Sequence, residues 1–347
     1  MKPAALALYQ KKLLYKKRLK ESFLKKAVNN YIGGIDVNFF SGLVNALPGA
    51  VAQGLIWGLM AIGVYITYKV LDLADLTVDG TMATGGALCI VLMTNGVNIW
   101  IALLCSFLVG LAAGAITGIL HTFMGIPAIL AGILTQLSLF SINLRIMGGK
   151  ANVAINPDKY RLLVSLRHVK SPTITNPIII ICVVTVIIIA LLYWFFGTEL
   201  GSAIRATGAN PNMSRAQGIN VDANKVLGLM LSNGIVSLSS ALYSQYQGFA
   251  DVNAGRGAIV IGLAAVIIGE VIFSHIFHNF ALKLLSVSLG AVIYYLVIQV
   301  VLTIGLNTND LKLLSALVVA LFLAVPYWKG KYLRTPTAKT TAQKEDK

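Results

Sequence analysis

Long apolar runs separated by short polar breaks make up most of the chain. Runs at about 48–69, 98–122, 127–147, 174–197, 224–247, 258–274, 281–304 and 311–328 predict membrane-crossing helices, because about 20 mainly apolar residues are needed to cross a bilayer core. The stretch "TMATGGALCIVLMTN", residues 81–95, is shorter and rich in Gly and Thr, and it is not expected to cross on its own. A second interruption, "GSAIRATGANPNMSRAQGIN" from Gly201 to Asn220, is polar, rich in small residues and broken by a proline. The pattern predicts an all-α membrane protein, a polytopic helical bundle of about 8–10 transmembrane segments with a broken or re-entrant helix.

Composition agrees with this reading. The chain is 57% hydrophobic and 12% charged, with mean hydropathy +0.78, outside the usual range of a soluble domain. A net charge of +15 raises the question of nucleic acid, and its distribution answers it. Residues 1–40 hold nine Lys and Arg against Glu21 and Asp36, and residues 329–347 hold six against Glu345 and Asp346. Basic tails beside spans are retained in the cytoplasm and attracted to anionic lipid. They carry no nucleic-acid motif, so membrane lipid is the expected partner. Leu8, Tyr15, Leu19 and Phe23 share one helical face, an imperfect pattern for an interfacial basic helix. The domain reading is a basic segment 1–40, a transmembrane domain 41–328 and a basic tail 329–347.

Counting crossings from an inside N-terminus, with 81–95 not crossing, returns the chain to the cytoplasm at residue 200. Four further spans then leave both termini on the cytoplasmic side. The same count puts the basic loop 145–170 outside, against the positive-inside tendency.

Catalytic and metal chemistry find no support in the motifs. "MGGKAN", Met147 to Asn152, lacks the spacing that cradles a nucleotide's phosphates, and no HExxH or GxSxG is present. Cys89, Cys105 and Cys182 lie in apolar runs without metal-ligand spacing. His275 and His278 have no carboxylate or Cys beside them to complete a metal site. No catalytic residue, metal or cofactor is expected in this chain.

Gly201, Gly208 and Gly218, with Pro211 after Asn210, break any long helix between Gly201 and Asn220. Pro211 suits the first position of a second short helix. The expected product is a short helix and turn beyond the bilayer, with Arg205 and Arg215 available to acidic groups of a partner. "ADLTVDG", Ala74 to Gly80, is echoed by "ADVNAGRG", Ala250 to Gly257, and each leads into a Gly/Ala-rich apolar segment. The echo reads either as a duplicated half of a transporter, with broken helices near the path, or as a chance match.

"TELGSAIRATGANPNMSRAQGINV", Thr198 to Val221, resembles the cytoplasmic coupling segment of permease subunits in the ribose and branched-chain amino-acid class of ABC importers. "GLMAIGVYITYKVLDLADLTVDGTMATGGA" (Gly58 to Ala87) and "GRGAIVIGLAAVIIGEVIF" (Gly255 to Phe273) resemble the same class, closest to its branch linked to aromatic amino-acid uptake. The likeness covers roughly residues 48–328. It implies a homodimer around a translocation path, a separate ABC ATPase that binds ATP and Mg, and an extracellular substrate-binding protein or lipoprotein. It places Gly201, Arg205, Ala206, Gly208, Asn210, Pro211 and Gly218 at ATPase-coupling positions. It implies import of a small solute by alternating access. Aromatic amino acids are favoured, with branched-chain amino acids, nucleosides and sugars as alternatives. An autonomous secondary transporter or channel, and a membrane scaffold without transport, are the competing readings.

Polar residues within the spans are candidates for the path, because buried charge is costly in lipid. Asp75, Thr77 and Asp79 precede the short Gly-rich segment and could contact substrate, or cap the half-helix that follows. Gln136, Ser138, Ser141 and Asn143 lie in the run 127–147, and Asn233, Ser237, Ser240 and Ser244, spaced three and four apart in the run 224–247, form a polar stripe near one face. Such stripes line aqueous paths or hold helices together. Glu270 is read as half of a structural pair or a gate, ahead of proton coupling.

Overall fold

The computed structural model describes residues 41–160, 162–169, 176–304, 313, 315–322 and 324. The segments 1–40 and 329–347 lie outside them. The described residues include ten helices: α1 (Ser41–Val70), α2 (Thr77–Thr94), α3 (Ile99–Thr122), α4 (Ala128–Ile146), α5 (Pro177–Gly197), α6 (Glu199–Ala209), α7 (Pro211–Ala216), α8 (Val221–Gln247), α9 (Ala258–Phe273) and α10 (Phe280–Thr303). A further helical stretch occupies 315–322. Two three-residue strands, β1 (Asn152–Ala154) and β2 (Phe249–Asp251), pair antiparallel. The protein is a polytopic helical bundle, and among the described residues seven helices are long and apolar enough to cross a membrane.

Helix α8 organises the bundle, and its polar positions explain how. On one face Tyr246, Ser239 and Ser232 donate to the backbone carbonyls of Gly49, Ile56 and Gly63 at 3.3, 2.7 and 2.7 Å. These rungs recur every seven residues on both helices, so α1 and α8 run antiparallel in close register. On the other face Ser237 donates to Ser106 O on α3, and Ser240 donates to Met82 O and accepts from Gly86 N on α2. Polar side chains bonded across helices contribute about 0.6–2 kcal/mol each in a membrane interior. Small residues make these contacts possible: a Cβ at Gly110 or Gly114 of α3 would run into α8 carbonyls.

The rungs also fix direction. The Ser41 end of α1 lies with the Gln247 end of α8, while its Val70 end meets α6, where a Cβ at Gly208 would strike the Val70 carbonyl oxygen. This corrects the crossing count read from the sequence. Residue 41 sits on the face opposite α6 and α7, and the chain has already reached the α6 face at Val70. The loop containing β1 lies on the far face, paired with β2 beyond the end of α8.

The segment 81–95 is corrected as well. It belongs to the 18-residue α2, which starts at Thr77 and is long enough to cross by length and composition. Thr and Gly lower its apparent hydropathy, but most of its residues are buried against protein rather than lipid, where such residues are tolerated. Its counterpart α9 has 16 residues.

Candidate functional site

Residues 71–76 carry the chain from α1 into α2, and residues 248–257 carry it from α8 into α9. The two connections share a local device: Thr77 N donates to Asp75 Oδ1 at 2.9 Å, and Asn253 N donates to Asp251 Oδ1 at 2.7 Å. The echoed "AD" motifs therefore form the same side-chain turn before each short helix. α1 runs toward the α6 face and α8 away from it, so the pairs α1–α2 and α8–α9 are arranged with opposite polarity, as in an inverted repeat.

The starts of α2 and α9 meet within the bundle. Asp79 of α2 accepts from Gly257 N and Ile259 N at 2.9 Å each. Its carboxylate therefore caps α9, not the helix it belongs to, and complements the positive end of that helix. Gly255 allows the approach, because a Cβ there would run into the Asp79 carbonyl oxygen.

Asp75 is 3% exposed and points the other way. Its Oδ2 accepts from Asn233 Nδ2 at 2.7 Å, and Asn233 Oδ1 accepts from Thr81 at 2.8 Å. Thr77, Thr117 and Thr135 continue the chain of hydroxyl contacts at 2.7 and 2.9 Å. Asp75, Thr77 and Asn233 are thus brought together in a buried network joining α2, α3, α4 and α8, where satisfied polar groups order helices, while Ser237 bonds separately to Ser106 O.

Asp79, Gln136 and Asn143 instead line a cavity of about 300 Å³ between α2, α4 and the β2–α9 turn. Phe140 and Arg256 complete its wall. Asn143 is fully buried, and neither its Nδ2 nor its Oδ1 has a hydrogen-bond partner among the described residues. Arg256 is not among the candidates named from the sequence, although a single cation between two glycines at the start of a short helix is a visible signal. Ser138 and Ser141, on the same helix, are exposed. Glu270 lies elsewhere, toward the α6 face, paired with Lys69 at 3.0 Å.

The coupling segment is ordered by local chemistry. Thr198 accepts from Gly201 N, Asn210 from Met213 N and Asn220 from Ala223 N, capping α6, α7 and α8 in turn. Pro211 occupies the first turn of α7, and Gly218 takes the left-handed φ of +79° that ends it. On α6 the inner residues Ile204 and Thr207 are buried, whereas Arg205, Asn210 and Pro211 are exposed, and Ala206 is half-buried. The Arg205 guanidinium lies over the Phe280 ring at 5.9 Å, and Arg215 reaches Asp222 at 3.4 Å.

Comparison with known proteins specifies what this bundle is. The family described as "Branched-chain amino acid transport system / permease component" matches residues 47–326. The chain belongs to this permease family. The permease is 39% identical over 284 residues to a tyrosine transport system permease protein of Clostridioides difficile, covering 82% of this chain and 91% of that one. It is 32% identical over 285 residues to an uncharacterized protein of Rickettsia prowazekii, covering 81% and 98%. An autoinducer 2 import system permease protein of Yersinia pseudotuberculosis is 27% identical over 245 residues, covering 69% and 66%. No solved structure matches the permease. Family membership makes it a membrane transport subunit of the ABC importer class rather than an enzyme.

Proposed function

We propose that the permease forms, as one of two copies, the translocation path of an ATP-driven importer for amino acids, aromatic ones first. A separate ATPase with ATP and Mg docks on α6 and α7, and an extracellular binding protein delivers the solute. The observation that carries this reading is the capped α6–α7 element, whose outer side is exposed while Gly208 rests directly on the end of α1. An ordinary loop needs no such construction. The tyrosine transport in the name of the Clostridioides difficile relative supports the aromatic preference, with branched-chain amino acids, nucleosides and sugars as the alternatives to be screened.

In this reading the α6–α7 face is cytoplasmic. Residue 41 then faces outward with the loop that carries Lys150 and Lys159, and the expectation of a cytoplasmic N-terminus rests on residues 1–40, outside the described residues. Motion of the ATPase displaces α6 and is passed to α1, and the bundle alternates between two states that bind solute differently. A secondary transporter is disfavoured because Glu270, its candidate coupling carboxylate, is engaged by Lys69.

Affinity purification of the tagged permease from native membranes in mild detergent tests the proposal. Recovery of a nucleotide-binding subunit with ATPase activity is expected. Recovery of the permease alone, with crosslinking giving the same result, would overturn it.

A further inference from the structure

The cavity between α2, α4 and the β2–α9 turn has a chemical character of its own. Its wall carries one cation, Arg256, and one carboxylate, Asp79, beside the buried Asn143, while Phe140, Leu137 and Val252 supply apolar surface. Arg256 makes no ion pair among the described residues, so its guanidinium is uncommitted. Asp79 spends one accepted bond per oxygen on the start of α9, and a carboxylate has further acceptor positions. Asn143 adds an amide whose donors and acceptor are both free of partners among the described residues. Such a buried amide is costly unless something bonds to it. At about 300 Å³ the cavity reaches the lower end of the size range of small-molecule sites.

We propose that this cavity is a binding site within the permease for a zwitterionic α-amino acid with an apolar or aromatic side chain. Arg256 takes the ligand's carboxylate, Asp79 its ammonium group, Asn143 bonds to either end, and Phe140 and Leu137 face the side chain. Guanidinium binds carboxylate in a planar fork, which an ammonium cannot reproduce. The site reads both charged ends at once, so a molecule with only one forgoes its charge-assisted bonds to the exposed Arg256 or to the half-buried Asp79. The permease therefore selects its solute in addition to any selection by a delivering protein. The inference rests on the amino-acid reading above and deepens it.

The test uses the purified full-length permease in lipid nanodiscs, without ATPase or binding protein. Radiolabelled L-tyrosine is the probe, and the competitors are unlabelled L-tyrosine, tyramine, 3-(4-hydroxyphenyl)propionate and D-ribose. Saturable binding of tyrosine in the low-millimolar range or tighter is expected, with tyramine and the propionate each weaker by about tenfold or more. Ribose should not compete. Arg256→Gln should abolish the preference for tyrosine over tyramine, and Asn143→Ala should weaken tyrosine itself. Absence of saturable binding, or equal competition by tyrosine and tyramine, would overturn the site. These two outcomes are read on the unaltered protein, so they do not depend on the variants folding. Tyrosine binding here, combined with failure to recover an ATPase in the purification from native membranes, would sink the importer reading and keep the site; recovery of the ATPase there with no tyrosine binding here would do the opposite.

Discussion

Replacing Asp79 by alanine should loosen the first turn of α9, on another part of the chain. The carboxylate accepts two backbone bonds there, both 2.9 Å long. Losing a side-chain cap costs about 1 kcal/mol, within a range of 0.5–2, and losing the negative charge at a helix N-terminus adds roughly 0.3–1 kcal/mol. Together they give about 2 kcal/mol for local opening, which corresponds to about thirtyfold faster exchange of the amides it protects. Asp79→Asn keeps one acceptor oxygen and loses the charge, so about 1 kcal/mol and fivefold are expected. Hydrogen–deuterium exchange of peptides covering Gly257 to Ile261, measured on the permease in nanodiscs, reads this directly. Asp75→Asn is the control, because Asp75 bonds to Thr77 and Asn233 and, among the described residues, accepts no hydrogen bond from α9. Unchanged exchange at the start of α9 in Asp79→Ala, or equal loosening in Asp75→Asn, would refute the cross-bundle cap.

Other expectations follow from the coupling face and the bundle. Arg205→Glu should leave folded protein in the membrane yet weaken ATPase capture in a pull-down; unchanged capture would remove Arg205 from the docking surface. Gly208→Leu places a side chain where the Val70 carbonyl lies, an overpacking that costs about 1–3 kcal/mol; substrate-stimulated ATPase activity should fall while basal activity persists. Glu270→Gln removes a pair whose side chains are 49% and 33% exposed, so stability should change by no more than about 1 kcal/mol. Solute uptake by that variant should keep its dependence on external pH, and a lost dependence would restore the proton-coupling reading. Asn233→Leu should strand the Asp75 carboxylate, lowering the yield of folded permease measured by size-exclusion chromatography.

The parts of the structure that local chemistry dictates were readable in the sequence. Thr198, Asn210 and Asn220 sit where capping residues belong, and the proline after Asn210 announces α7. The aliphatic runs gave most spans because lipid-facing residues such as Leu104, Leu108 and Val186 have to be apolar. What was not legible depends on partners distant in the chain. Whether Asp79 caps its own helix or α9 turns on residues 178 and 180 positions away. α2 was underestimated because hydropathy records exposure to lipid, and α2 faces protein. The direction of α1 was misjudged for the same reason: a count of crossings cannot see that Gly208 meets Val70. The echoed motifs were visible, but only their matching turns at Asp75 and Asp251 make them structural equivalents.

The contact between Gly208 and Val70 has a mechanical consequence. Most helices touch through side chains, whose rotamers can shift and absorb a small displacement. Here backbone meets backbone, with no side chain between them to yield. Interiors packed this closely have low compressibility, so the joint has little slack. A push on α6 reaches α1 at nearly full amplitude, and α1 is in turn bound to α8 by three bonds along its length. The stiffness of the coupling thus comes from an absent side chain, and even one added carbon at residue 208 would change the stroke that the membrane domain receives.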